Sequence, residues 1–450
     1  MSTKTRRTIS IALFLALLLP AFAEEQTARQ PAGWVKSAVV YELNPRTFSA
    51  TGNFKGVEAG LDKLHDLGIT ILWLMPIHPL GQAKKKGSVG SPYAVQDYMA
   101  INPAYGTKQE LKALVAAAHQ KGLKVIIDIV ANHTAWDAVL IKQHPEWYKH
   151  DAQGNIIPPV ADWSDVAGLD YRNPALRTYM TDMLKYWLKE FDLDGFRCDV
   201  AGEVPTDFWE AARVELEKIK PDIVMLAESN KPELLVKAFD IDYAWPFHST
   251  LTDILENGRP ATSLEDNWKA QRERYPKGAV EMRFSDDHDE KRAIARFGER
   301  GALAASALVF TFDGVPLLYN GMEVGDTTES TAPALFENMP VFWGIGEKRS
   351  NYLPFYKQLI ALRKAHPALQ QGDTEWVRNS DPIRVISYTR RANQEEFLIV
   401  VNCSNQTFMG TVDSSIGTYA DVTPGLEKKG VSLPSVSLGA FEFRIYQKAQ

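Results

Sequence analysis

Eight short apolar segments recur along the chain, at residues 39–43, 69–75, 125–130, 195–200, 223–227, 241–244, 280–284 and 315–319. Stretches with helical spacing lie between them, at 56–67, 108–121, 174–191, 205–219 and 301–312. Short apolar runs alternating with amphipathic stretches describe parallel strands covered by helices. Eight such strands are what a closed barrel requires, so the expected fold class is α/β, a (β/α)₈ TIM barrel, over residues 24–371.

One connection stands apart. Residues 134–173, rich in His, Trp, Asp, Gly and Pro, separate the third strand from a helix that Pro174 suits as a first-turn residue. A connection this long implies an inserted loop subdomain. From Gly372 helical periodicity gives way to strand patterns at 383–389, 397–402 and 441–445, which predicts a C-terminal antiparallel β-sandwich over 372–450.

The N-terminal residues read as an export signal over 1–23. Lys4, Arg6 and Arg7 precede an apolar run at 9–19, then Pro20 and Ala21-Phe22-Ala23, with small residues where a signal peptidase cuts. That run is too short for a membrane span, so the expectation is an exported chain, periplasmic or extracellular, with no stable membrane anchor. The formal charge of −6 becomes −9 without those three cations, and no basic stripe exists, which excludes nucleic acid as a partner. The two cysteines, Cys198 and Cys403, are expected to be free: Cys198 alternates with Arg197 and Asp199 and so faces the helices.

In such a barrel, chemistry sits where strands end and loops begin. Here those positions are charged. Asp128, Asn132 and His133 fall at or after the third strand, Arg197 and Asp199 at the end of the fourth, Glu228 after the fifth, and His288-Asp289 after the seventh. A retaining glycosidase needs two carboxyl groups about 5–5.5 Å apart across an acetal bond. Neighbouring strands stand about 4.8 Å apart, so Asp199 and Glu228 meet that need without special loops. Arg197 shares a strand face with Asp199 and is expected to keep it ionised, while burial and neighbouring acids are expected to raise Glu228 toward the range of an acid catalyst.

These residues resemble the α-amylase family of glycoside hydrolases. The matching segments are Asp128-Ile129-Val130-Ala131-Asn132-His133, Gly195-Phe196-Arg197-Cys198-Asp199, Leu226-Ala227-Glu228 and Phe284 to Asp289, in the family's order. The resemblance implies Asp199 as nucleophile, Glu228 as acid/base and Asp289 as a third carboxylate that grips sugar hydroxyls. It further implies substrate binding by Arg197, His133, His288 and Tyr93, with support from Asp128 and a wall contribution from Tyr41. Asn132, with Asp165, is a candidate ligand of a structural calcium; the chemistry itself needs no cofactor. Trp136, Trp147, Trp163 and Trp343 are candidate sugar platforms.

The implied function is hydrolysis of α-glucosidic bonds, mainly α-1,4, in malto-oligosaccharides or related α-glucans through a covalent glycosyl-enzyme. Alternatives are a transglycosylase or isomerase of the same family, or a non-catalytic glucan-binding barrel. Two departures bear on this. Asp287 stands where the family usually has Asn, which adds a negative charge, and Val200-Ala201-Gly202-Glu203 replaces the Lys-His pair that endo-acting relatives carry on the leaving-group side.

Overall fold

The computed structural model describes residues 26–449, so the expected signal at 1–23 lies outside the described residues. Eight parallel strands close into a barrel: β1 (Val40–Leu43), β2 (Ile71–Leu74), β3 (Lys124–Val130), β4 (Gly195–Asp199), β5 (Val224–Ala227), β6 (Ile241–Tyr243), β7 (Glu281–Arg283) and β8 (Val315–Tyr319). Alternation of side chains sorts them into two cores. Val40, Ile71, Trp73, Ile126, Val224, Leu226, Ile241, Tyr243, Met282 and Leu317 fill the barrel. Their strand neighbours, among them Tyr41, Leu72, Ile127, Phe196 and Cys198, pack outward against the helices.

Local signals set the helices. Thr107 and Glu110 form a reciprocal capping box at the start of Lys108–Gln120. Asn173 caps Pro174–Phe191, with proline in the first turn as expected. Gly195 opens β4 for a steric reason: its φ is +157°, and a Cβ there would lie 1.8 Å from the Val224 carbonyl oxygen. Only glycine lets β4 and β5 approach, and these are the strands that carry Asp199 and Glu228. Among the described residues, no helix is long and apolar enough to cross a membrane.

After β3 the chain forms a small insert in which His133–Ala135 pairs antiparallel with Val166–Gly168. After the barrel, a six-stranded sheet runs in the order Asp373–Trp376, Val385–Ala392, Glu395–Asn402, Phe443–Lys448, Tyr419–Asp421, Lys429–Val431. One face, with Ile386, Tyr388, Phe397, Ile399 and Val401, joins the outer barrel core. The other face, with Val385, Leu398 and Val400, packs under the strand pair Phe408–Thr411 and Ser435–Leu438. That is the expected antiparallel sandwich. Cys198 and Cys403 are both buried and free.

Arg363, on the helix Tyr352–Ala365, fastens that helix to the chain leading into β8 and to the short helix Pro367–Gln371. Fully buried, it donates to the carbonyls of Phe310 (3.1 Å), Phe312 (3.3 Å), Leu369 (2.6 Å) and Gly314 (2.5 Å). Burial pulls its pKa down to about 9. Replacing it with methionine keeps the volume but leaves several buried carbonyls without donors, at a cost of roughly 3 kcal/mol or more. Urea unfolding of Arg363→Met should show that loss; an unchanged midpoint would mean these carbonyls find other donors.

Candidate active site

Strand ends bring the predicted charges onto one buried cation. Arg197 is fully buried, and its Nη1 donates to Asp128 (3.0 and 3.1 Å) and to Asp199 Oδ1 (2.9 Å). Its Nη2 lies 2.9 Å from Glu228 Oε2. Trp73, Tyr93 and Tyr243 surround the guanidinium, with ring centroids 5.1–5.7 Å away. Three carboxylates from β3, β4 and the end of β5 thus share one guanidinium in an aromatic box. Asp128 is held at about 6, raised by burial against the pull of Arg197.

The expectation that Arg197 keeps Asp199 ionised meets an opposing effect. Burial first, then the neighbouring Glu228, push the Asp199 carboxyl well above its ordinary 3.8, and Arg197 only partly opposes them. Asp199 Oδ2 is turned toward His133 Nε2, 4.0 Å away. Burial lowers His133 to about 4, so it is a neutral imidazole at physiological pH.

Val200 follows Asp199 with φ +36°, a left-handed conformation that a β-branched residue adopts only under strain. The turn aims its amide at Glu228 Oε2, 2.7 Å away. The residue after the nucleophile candidate therefore orients the acid candidate.

A second cluster lies across the mouth. His288 donates from Nδ1 to Glu42, and its Nε2 lies 3.1 Å from Asp289 Oδ2 and 2.8 Å from the Tyr93 hydroxyl. Its ring stacks on Tyr93 at 5.2 Å and 19°. Burial opposes a charge on His288, but Asp289 and Glu42 together raise it well above its ordinary value, and His288 in turn lowers Asp289. Asp287, the residue that departs from the family pattern, is buried. It accepts from the amides of Asp289 (3.0 Å) and Glu290 (3.1 Å). Burial pushes it well up toward the neutral form, which mutes the extra charge.

Tyr41 is a correction. It sits between Val40 and Glu42, so alternation turns it out of the barrel. It packs on Phe48 and donates to Glu323 at 2.6 Å instead of lining the pocket. The inward residue of that strand is Glu42, the partner of His288, which sequence reasoning missed although a lone charge in an apolar strand marked it. The platform candidates also divide. Trp163 lies edge-on to His133 at 5.5 Å, while Trp147 is buried against Tyr179. Trp343 is held by the Phe48 carbonyl and ring.

The chain matches the family model for the alpha-amylase catalytic domain over residues 30–163 and 147–340. The chain belongs to the alpha-amylase family. It is a glycosidase. Similar proteins include a cyclomaltodextrinase of Geobacillus thermopakistaniensis, 28% identical over 84% of this chain and 70% of that protein. An intracellular maltogenic amylase of Bacillus subtilis is 29% identical over 85% of this chain and 71% of its own length. Among solved structures, a maltogenic alpha-amylase from Thermotoga neapolitana superposes with a TM-score of 0.85 at 33% identity, covering 92% of this chain and 99% of that one. An alpha-amylase from Lactobacillus plantarum gives 0.81 at 31%, with the same coverage. The expectation of an exported chain is corrected here. A relative that aligns with most of the chain is intracellular by name, and the segment that prompted the expectation lies outside the described residues.

The family resemblance raised calcium, and the donor set does not fit it. Calcium takes six to eight oxygens, usually including several carboxylates. Asp165 is already paired with Lys86 Nζ at 2.9 Å, and that ammonium also lies 3.3 Å from the Asp162 carbonyl. The Asn132 amide contacts His133 Nδ1 at 3.4 Å, and its backbone carbonyl accepts from Leu169. The Asp165 carboxylate is thus already neutralised by an ammonium. Lys231, three residues after Glu228, is a similar loop-borne feature. Its ammonium bonds the Gly202 carbonyl and lies 3.6 Å from Glu203, which puts a lysine on the segment after Asp199 that lacks the family's own. Thermal melting should be unchanged by EDTA or added calcium; a lower melting temperature in EDTA would restore the metal.

Proposed function

We propose that the enzyme hydrolyses α-1,4 bonds of malto-oligosaccharides with retention at the anomeric carbon. One observation carries the reading: Asp199 and Glu228 meet on a single buried guanidinium, with Asp289 facing them across the mouth. The names of the relatives, maltogenic amylase and cyclomaltodextrinase, support an α-glucan substrate.

In this mechanism the glycosidic oxygen takes a proton from Glu228 as its bond to the anomeric carbon breaks. Asp199 Oδ2, the oxygen not held by Arg197 Nη1, attacks that carbon and forms a covalent ester. Glu228 then removes a proton from water, which attacks the same carbon and releases Asp199. Asp289 and the imidazolium of His288 hold sugar hydroxyls, and Tyr93, backed by His288, packs against the ring. Neutral His133 bonds a further hydroxyl without competing with Arg197 for the nucleophile's charge.

Asp199→Asn should lower kcat on maltoheptaose by about 10³-fold or more with the fold intact. Wild type should release the α-anomer first by proton NMR. A β-anomer, or near-normal activity in the variant, would sink the assignment.

The raised Asp199 gives a pH test with a defined sign. The nucleophile works ionised, so glycosyl-enzyme formation should fall as pH drops through a value above the ordinary 3.8. Glu228 contributes to that elevation. Glu228→Gln removes its charge and should shift the acid limb to lower pH. The assay is kcat/KM for fluoride release from α-maltosyl fluoride, which reports formation of the glycosyl-enzyme and whose leaving group needs no acid. An unmoved limb would show that the two carboxyls do not interact.

A further inference from the structure

A lysine-rich strap follows β2 and is clasped at both ends across the barrel mouth. On one side, Gln82 N donates to Asp137 Oδ2 at 2.9 Å, and Lys84 Nζ sits 3.4 Å from the Trp136 ring centroid. Lys86 pairs with Asp165 at 2.9 Å. All three partners belong to the insert after β3. On the other side, Ser88 N donates to Glu337 Oε1 at 3.0 Å, its hydroxyl bonds the same carboxylate, and Val89 N donates to the Phe336 carbonyl at 2.9 Å. Those partners follow β8. Gly87 makes the crossing: its φ is +64°, and a Cβ there would lie 2.5 Å from Phe336 Cβ. The strap then runs directly into Ser91, whose hydroxyl accepts from the amide of Tyr93, the residue stacked on His288.

The ring order of the barrel says which part of the mouth is crossed. Strands run β1-β8-β7-β6-β5-β4-β3-β2, so β1 is diametrically opposite β5. The strap spans the arc from β3 through β2 and β1 to β8, opposite Glu228. The leaving group departs on the side of its proton donor, so the sugars that remain on Asp199 extend the other way, toward the strap.

We propose that this strap closes the donor side after a short run of glucose units, so that the enzyme cuts near the non-reducing ends of linear α-1,4-glucans and discriminates against chains without ends. The inference rests on the glycosidase reading above. Its cause is steric: three loops are fastened by a half-buried lysine–carboxylate pair, a cation–π contact and paired backbone bonds.

The test compares maltoheptaose with the cyclic heptamer, which has the same seven sugars and no end. Wild type should favour the linear form in kcat/KM by about tenfold or more. With maltoheptaose tagged at the reducing end, its first tagged products should be those shortened by only a few units. The double variant Lys86→Ala/Glu337→Ala removes the side-chain ion pair of one clasp and the carboxylate of the other. It should narrow the linear-to-cyclic ratio several-fold and spread cleavage toward internal bonds, while kcat/KM on α-maltosyl fluoride stays at the wild-type level. Should the double variant not fold, Glu337→Gln, which weakens one clasp only, is read in the same assay for a smaller shift of the same sign. Equal rates on both sugars in wild type, or an unchanged pattern in folded variants, would overturn the strap's role and leave the glycosidase reading standing. Inactivity of wild type on both sugars and on the fluoride would instead overturn the reading beneath it.

Discussion

A guanidinium without water is the constraint on which the site depends. Burying an arginine costs several kcal/mol unless its donors are met by acceptors in good geometry. Arg197 donates to Asp128 and Asp199 and lies within ion-pair distance of Glu228, carboxylates from three successive strands of the ring, inside a box of Trp73, Tyr93 and Tyr243. The closeness of the carboxyls is therefore a property of the barrel rather than of mobile loops. Gly195 permits β4 and β5 to approach, and the strained Val200 turns its amide onto Glu228. The same burial that fixes the geometry raises Asp199, so position and acidity have one origin.

The opposite wall uses the inverse arrangement. Glu42 and Asp289 flank His288 and keep it charged despite burial, and Tyr93 is stacked on that cation while its hydroxyl reaches Asp128. The two halves of the mouth are linked through Tyr93, which touches the machinery of both. The strap over residues 82–90 leads straight into it.

Much of this was legible in the sequence. The eight strands were, because short apolar runs spaced by helical patterns have few other solutions. Asp128, Arg197, Asp199, Glu228, His288 and Asp289 were, because charges at strand ends are costly unless they converge. Tyr41 was misplaced because its aromatic character outweighed its register. The alternation that placed Arg197 and Asp199 on one face, applied to β1, turns Tyr41 outward and Glu42 inward. Contacts between loops left no local trace: nothing in the spacing of Lys86 and Asp165, or of Lys231 and Gly202, says that they meet. The strain at Val200 was equally hidden, since valine in sequence gives no sign of a positive φ. Calcium and export were inferences from resemblance and from a terminal segment; Lys86 answers the first, and an intracellular relative corrects the second.

In the proposed mechanism Asp199 carries the covalent glycosyl ester, and that is directly observable. A 5-fluoro-α-glucosyl or maltosyl fluoride forms the ester and slows its hydrolysis; digestion and mass spectrometry then locate the added sugar. The predicted result is one sugar on the peptide containing Phe196-Arg197-Cys198-Asp199, abolished by Asp199→Asn. A sugar on Glu228 or Asp289, or turnover with no adduct at all, would contradict the account.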